Sequence, residues 1–270
     1  MVEQRHLPDA DRLSVFSAVI LLAYAVARFV NFPTNEFGVQ LPGLYVDFVI
    51  HMRLVVAFLV TGMAAAGADW LLRQHPRLGQ RLAIEHWILP AVTAWVIGVP
   101  IYQLPLGLQW WSWFLVGGAL LVLVVVAEYI TIDPQDLRYP AATAGLTAVA
   151  FALFLILSIS LRDVGERLFW VAPALALAGG AIGLRTLHLR LGGTWAFFQA
   201  GVIVLLLGQF TAALYYLPLS PLAFGLILLG VAYGLTGLLA NLATGRRLTQ
   251  AVVEPLVILM VVVALALWMN

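Results

Sequence analysis

The sequence predicts an all-α membrane protein, a polytopic bundle of about nine transmembrane helices. Of its 270 residues, 63% are hydrophobic and 10% are charged, and the mean hydropathy is +1.00. Soluble domains contain about 45–50% apolar and about 25% charged residues. Apolar runs of about 20 residues, the length that crosses a bilayer as a helix, recur along the whole chain. These observations exclude an ordinary soluble fold.

The predicted spans follow one another through short connections. Proline-bearing connections at 104–107, 133–134 and 218–221 make consecutive helices antiparallel neighbours in an up-and-down bundle. Roughly a quarter of the chain remains outside the spans, too little for a nucleotide-binding or other extramembrane catalytic domain. We therefore expect one integral membrane domain, 1–270. The predicted spans are 13–31, 45–72, 84–103, 109–131, 140–160, 167–187, 194–217, 221–243 and 249–268.

Arginine is distributed unequally between the two sides of this bundle. All 14 cations are arginine, and ten of them lie on the side of the N-terminal tail. The positive-inside rule makes that side cytoplasmic, so the N-terminus is inside and the C-terminus outside. An arginine-only, Ala- and Leu-rich composition is typical of GC-rich bacteria, which predicts a bacterial cytoplasmic (inner) membrane. The ten are Arg5, Arg12, Arg73, Arg77, Arg81, Arg138, Arg185, Arg190, Arg246 and Arg247.

Missing residue types exclude several chemistries. The chain has no Cys, which excludes disulfides, thiolate metal sites and cysteine nucleophiles. It has no Lys, which excludes Schiff-base chemistry. No basic, aromatic-rich surface is available for nucleic acid, and no cofactor is predicted. No metal site is predicted either, because the cytoplasmic-side acidic residues and histidines lack a metal-binding spacing. They are Asp69, His75, Glu85, His86, Glu128, His188 and Glu254.

The centre of the bundle is expected to be almost free of polar groups. No Asp, Glu, His or Arg falls at the middle of a predicted span. Transporters usually bind substrates and ions near the midplane, and hydrophilic channels need a polar stripe. The pattern therefore favours structural helices or an apolar, lipid-like ligand. The polar residues near the midplane are Thr93, Thr147, Gln209 and Thr211.

One polar cluster is predicted on the outer side. Arg28 lies one turn from the end of span one, and Asp47, His51 and Arg53 lie in the outer half of span two. In a helix Asp47 and His51 share a face, whereas Arg53 is about 200° from His51. Two interpretations remain open: a site for an anionic headgroup, or an Arg28–Asp47 ion pair that joins the two spans while a neighbour satisfies His51.

The connection before span two permits a catalytic alternative. It contains Glu36 and is interrupted by prolines and glycines, so it is either interfacial or re-entrant, or a loop resting on lipid. In an enzyme acting on a lipid-linked substrate, Glu36 or Asp47 would be the base, His51 its partner, and Arg28 or Arg53 the phosphate ligand.

The overall pattern favours a non-catalytic role over a catalytic one. We expect an accessory subunit of a membrane complex or a component that binds lipid or another apolar ligand. The outer-leaflet enzyme is the first alternative, and a transporter of hydrophobic solutes is the second. Expected partners are membrane lipids and other membrane proteins or a second copy. Small-xxx-small pairs that would pack such helices closely are Gly179/Gly183 and Gly230/Gly234.

The predicted orientation can be tested with a reporter fused to the C-terminus. Nine spans with a cytoplasmic N-terminus place the fusion outside, so a reporter that works only outside the cytoplasm should be active. Activity of a reporter that works only in the cytoplasm would mean an even number of spans and contradict the prediction.

Overall fold

The structure is a computed structural model of the full chain. It describes the backbone at 8–29, 35–41, 44–50, 52–78 and 84–270, and the side chains at 8–29, 55–78 and 84–270.

The described residues form nine helices that are long and apolar enough to cross a membrane. This confirms the predicted multi-pass helical protein, including the separation of the seventh and eighth spans at 218–221. Most helix bounds lie within a few residues of the predicted spans. The helices are α1 (Ala10–Phe29), α2 (Met52–Leu72), α3 (Ile88–Gln103), α4 (Leu108–Ile130), α5 (Tyr139–Asp163), α6 (Leu168–Arg190), α7 (Phe197–Tyr215), α8 (Pro221–Ala243) and α9 (Leu248–Trp268).

The predicted start of the second span was wrong. Strands β1 (Asn35–Leu41) and β2 (Leu44–Ile50) form an antiparallel hairpin in which Leu41 pairs with Leu44, and α2 begins only at Met52. Residues 44–50 are mostly aromatic or β-branched, and Pro42 and Gly43 are typical of a turn. Hydropathy cannot distinguish such a strand from a helix. The all-α prediction therefore holds for the nine long helices but not for this connection.

The chain divides into two compact units, and the prediction of one integral membrane domain stays a prediction. Unit 1 is Met1–Ile132 and unit 2 is Asp133–Asn270. In unit 1, consecutive helices pack together and α1 also contacts α3 and α4. In unit 2, consecutive helices pack together, α5 and α6 also contact α8, and α9 packs on α8.

Close packing in unit 1 depends on glycines. The ring of Phe16 lies on Gly67 of α2, and the ring of Tyr24 lies on Gly98 of α3. The Tyr24 hydroxyl donates a hydrogen bond to the carbonyl of Ala94, one turn before Gly98. A Cβ at either glycine would overlap the aromatic ring above it. Small residues therefore allow α1 to approach its neighbours closely, as is common between helices in lipid.

The two glycine pairs considered for association lie against helices of the same chain. Added Cβ atoms at Gly179 and Gly183 would meet side chains of α7, and those at Gly230 and Gly234 would meet α9. These small-residue faces are thus used within unit 2. Association with a second copy stays a prediction, without these glycines as its interface.

Substitution of Gly98 should destabilise unit 1. In Gly98→Ala the new methyl group overlaps the Tyr24 ring, and overpacking of this kind costs about 1–3 kcal/mol. Gly62→Ala is the matched control, because its Cβ has no neighbour within 4 Å and alanine favours the helix. Thermal unfolding in detergent should show a lower midpoint for Gly98→Ala alone. Equal midpoints would contradict the described packing.

Candidate functional site

Arg28, in the last turn of α1, contacts the C-terminal end of α3 at the predicted outer end of unit 1. Its Nη2 atom donates a hydrogen bond to the carbonyl of Leu104, at 3.4 Å, and Leu104 is the C-cap residue of α3. The C-terminal end of a helix carries partial negative charge and favours a cation. The Nε atom of Arg28 is buried and has no hydrogen-bond partner among the described residues. The described residues therefore account for only part of the hydrogen-bonding capacity of this guanidinium.

Indole groups from α4 satisfy other carbonyls near this end of α3. Trp110 Nε1 donates to the carbonyl of Ile101 at 3.1 Å, and Trp113 Nε1 donates to that of Ile97 at 3.2 Å. Ile101 needs such a donor, because the residue four positions on is Pro105, which has no N–H. Phe29 contacts Trp110 edge to face. Side chains from α1 and α4 thus pack over the C-terminal end of α3 and donate hydrogen bonds to its carbonyl groups.

The structure changes the proposed outer cluster. Asp47 lies in β2 opposite Gly38, so the prediction that Asp47 and His51 share a helical face was wrong. His51 lies outside the described residues. Arg53 is in the first turn of α2, but its side chain, like those of Asp47 and Glu36, lies outside the described residues. The Arg28–Asp47 ion pair stays a prediction.

The hairpin brings the two predicted carboxylate residues near each other. Glu36 pairs with Val49, and Asp47 pairs with Gly38, two positions from Glu36. In an antiparallel pair such diagonal neighbours lie about 7–8 Å apart on one face. This proximity follows from the backbone register, and the helical interpretation did not predict it.

A buried acid–base pair lies at the opposite end of unit 1. His86 ends a single 3-10 turn, Ile84–His86, that precedes α3, and Glu128 lies in the last turn of α4. His86 Nδ1 and a carboxylate oxygen of Glu128 are 2.6 Å apart. The two residues are 5% and 0% exposed. Because two bare acceptors at this distance would repel, a proton lies between these atoms.

Further polar contacts connect the helix ends around this pair. The Thr131 hydroxyl lies 3.4 Å from the same Glu128 oxygen. At the end of α2, Asp69 accepts hydrogen bonds from Trp87 Nε1 at 3.1 Å and from Arg73 Nε at 2.5 Å. These bonds tie α2 to the start of α3, so the site is held by three helices.

The sequence places His86 and Glu128 on the predicted cytoplasmic side as separate groups but does not predict their contact. In the structure both residues are buried. One signal was available: spans three and four are antiparallel neighbours, so both residues lie at the same end. In unit 2, Arg185 and His188 are also buried, at 1% and 8% exposure. Among the described residues, no three His, Asp or Glu side chains come together as metal ligands.

Removal of one member of the buried pair should be costly. In His86→Ala or Glu128→Ala the remaining polar group stays buried and loses this contact, at a cost of about 3–5 kcal/mol. Arg73→Ala is the control, because it breaks the more exposed Asp69–Arg73 ion pair, worth about 0–1 kcal/mol. Thermal unfolding in detergent should rank Arg73→Ala as the mildest variant. A loss for Arg73→Ala as large as that for Glu128→Ala would contradict the burial of the pair.

Comparison with known proteins identifies a family. No curated protein and no solved structure matches the chain. The sequence profile of one family, described as a protein of unknown function (DUF5656), matches residues 32–269. The match begins after α1 and contains the hairpin and helices α2 to α9. Because it covers far more than half of the 270 residues, the chain belongs to the DUF5656 family.

Proposed function

We propose that the protein is a non-catalytic membrane component that binds anionic lipid, with Arg28 as the ligand of the headgroup. The observation that carries this proposal is the incomplete hydrogen bonding of Arg28. A guanidinium has five N–H donors, and the described contacts of Arg28 are one bond of 3.4 Å. Phosphate oxygens match the remaining donors in charge and geometry.

An exposed apolar stripe on α1 supports lipid binding at this end. Successive residues of the stripe are separated by four and three positions in turn, so they lie along one side of the helix. The stripe is about 21 Å long, more than the ~15 Å depth of one leaflet, and it ends next to Arg28 in sequence, although the Arg28 side chain is on the buried side of α1. An acyl chain on the stripe would have its headgroup at the same end of α1 as the guanidinium. The stripe consists of Val15, Val19, Leu22, Val26 and Phe29.

Three of the buried hydroxyls within the helices support a role without a polar substrate, although a further buried hydroxyl, that of Thr211, has no hydrogen-bond partner among the described residues. Thr93, Ser158 and Thr236 each donate a hydrogen bond to the carbonyl four residues earlier in their own helix. A hydroxyl that donates its proton to its own helix has no donor left for a polar solute that crosses the bundle. These bonds favour lipid association over transport of a polar substrate.

The outer-leaflet enzyme is the second candidate, and the hairpin register favours it. Glu36 and Asp47 occupy diagonal positions on β1 and β2. Two neighbouring carboxyl groups can act as acid and base if their environments separate their pKa values. In this function, the headgroup site at Arg28 would bind the lipid-linked substrate on which the two carboxyl groups act.

Native mass spectrometry from nanodiscs tests the first proposal. The discs contain phosphatidylcholine with a minor fraction of phosphatidylglycerol, and the measurement is the retained anionic lipid per protein. Hydrogen bonds to a charged group contribute about 1.5–3 kcal/mol, so Arg28→Gln should retain at least about tenfold less phosphatidylglycerol. Arg167→Gln is the matched control, since it removes an exposed arginine from the same predicted side.

The outcomes separate the candidates. Equal retention by the wild type and Arg28→Gln would refute the headgroup site. A bound lipid whose mass changes on incubation, with the change lost in Glu36→Gln and Asp47→Asn, would favour the enzyme. Retention of another membrane protein with no bound lipid would favour the accessory subunit.

A further inference from the structure

The two units share one pattern of helix packing. In each, four consecutive helices pack against their sequence neighbours, and the first also contacts the fourth. The helices are α1 to α4 in unit 1 and α5 to α8 in unit 2, so α9 is the additional helix of unit 2.

The second half of each unit repeats at a constant spacing in sequence. Helices α4 and α8 both have 23 residues, and both their first and their last residues are 113 positions apart (221 against 108, and 243 against 130). The same spacing relates the preceding turns. Unit 1 reads Tyr-Gln-Leu-Pro-Leu at 102–106, and unit 2 reads Tyr-Tyr-Leu-Pro-Leu at 215–219. Four of the five turn residues are thus identical.

An arginine from the first helix binds the same turn position in both units. Arg28 Nη2 donates to the carbonyl of Leu104, and Arg162 Nη2 donates to the carbonyl of Leu217. Leu104 and Leu217 are equivalent at the 113-residue spacing. Each arginine also ends a stripe of buried residues spaced by four. The stripes are Phe16, Ile20 and Tyr24 in α1, and Ala150, Phe154 and Ser158 in α5.

We infer that the chain is an internal duplication of a four-helix unit, in which unit 1 has a buried acid–base site at positions where unit 2 has none. At the 113-residue spacing, His86 and Glu128 correspond to Gln199 and Asn241. Unit 1 therefore has an ionisable pair where unit 2 has two neutral amides.

The longer connections between helices are also in unit 1. Its first connection, between α1 and α2, contains the β1–β2 hairpin, whereas the equivalent connection in unit 2 is only 164–167. Its second connection is 73–87, against 191–196 in unit 2. The hairpin and the His86–Glu128 pair thus both lie in unit 1, whereas unit 2 has its own buried Arg185 and His188 in α6.

The turn before α4 allows a direct test of equivalence. Ser220 is the N-cap residue of α8, and its hydroxyl accepts a hydrogen bond from the N–H of Ala223. The equivalent residue, Gly107, is the N-cap of α4 and has no capping side chain. A Cβ added at Gly107 has no neighbour within 4 Å. The duplication therefore predicts that a serine at this position caps α4 as Ser220 caps α8.

Thermal unfolding of the full chain in detergent compares four variants. Gly107→Ser should unfold at a higher temperature than Gly107→Ala, which adds the Cβ without the hydroxyl. Ser220→Ala should unfold below the wild type by a similar difference, and Ser220→Gly also below it. If Gly107→Ser is no more stable than Gly107→Ala while Ser220→Ala is destabilised, the turns are not equivalent. Failure of either Gly107 variant to fold also counts against equivalence, because unit 2 accepts a Cβ there.

A second comparison tests the acid–base site of unit 1. Gln199→Ala and Asn241→Ala should lower the unfolding midpoint far less than His86→Ala and Glu128→Ala. Equal losses at the two sets of positions would mean that unit 1 has no distinct site.

Discussion

Backbone carbonyl groups at the end of a transmembrane helix have no partner within that helix, and the hydrocarbon supplies no water to replace one. The structure meets this constraint with long donor side chains from neighbouring helices. At the end of α3 the Trp110 indole reaches the carbonyl of Ile101 and Arg28 reaches that of Leu104. In unit 2, Arg162 donates to Tyr215 and Leu217 at the end of α7, at 2.8 and 3.1 Å. These bonds join the last turn of the first helix in each unit to the end of the third helix.

The two arginines differ in how completely the described residues satisfy them. Arg162 has two carbonyl acceptors and lies over the rings of Tyr215 and Phe224, at 5.1 and 5.3 Å from their centroids. Arg28 has one long hydrogen bond and a buried Nε with no described partner. Two cation–π contacts and two charge-assisted bonds make Arg162 a structural group. At the same position in unit 1 the described residues satisfy fewer donors, which is why the proposed headgroup site lies there.

Hydropathy predicted the nine spans because each must bury all its backbone groups within one helix, a requirement that is visible in composition. It failed at 45–50, where a strand and a helix have equally apolar residues. It also failed to pair His86 with Glu128. That contact depends on how α3 and α4 are rotated about their axes, and their polar residues alone do not determine this rotation. The acceptor of Arg28 is a backbone carbonyl, which no side-chain pattern reveals.

Unit 1 has a buried ionisable pair that unit 2 does not have at the equivalent positions. Charged and ionisable groups are costly inside a membrane protein, and replacing a buried pair with uncharged residues is often neutral or stabilising. Unit 2 has the same helix order with Gln199 and Asn241 at the equivalent positions. The architecture therefore does not itself require an acid and a base there. A costly pair that the fold can do without is best explained by function, and it directs attention to unit 1, where the hairpin and Arg28 also lie.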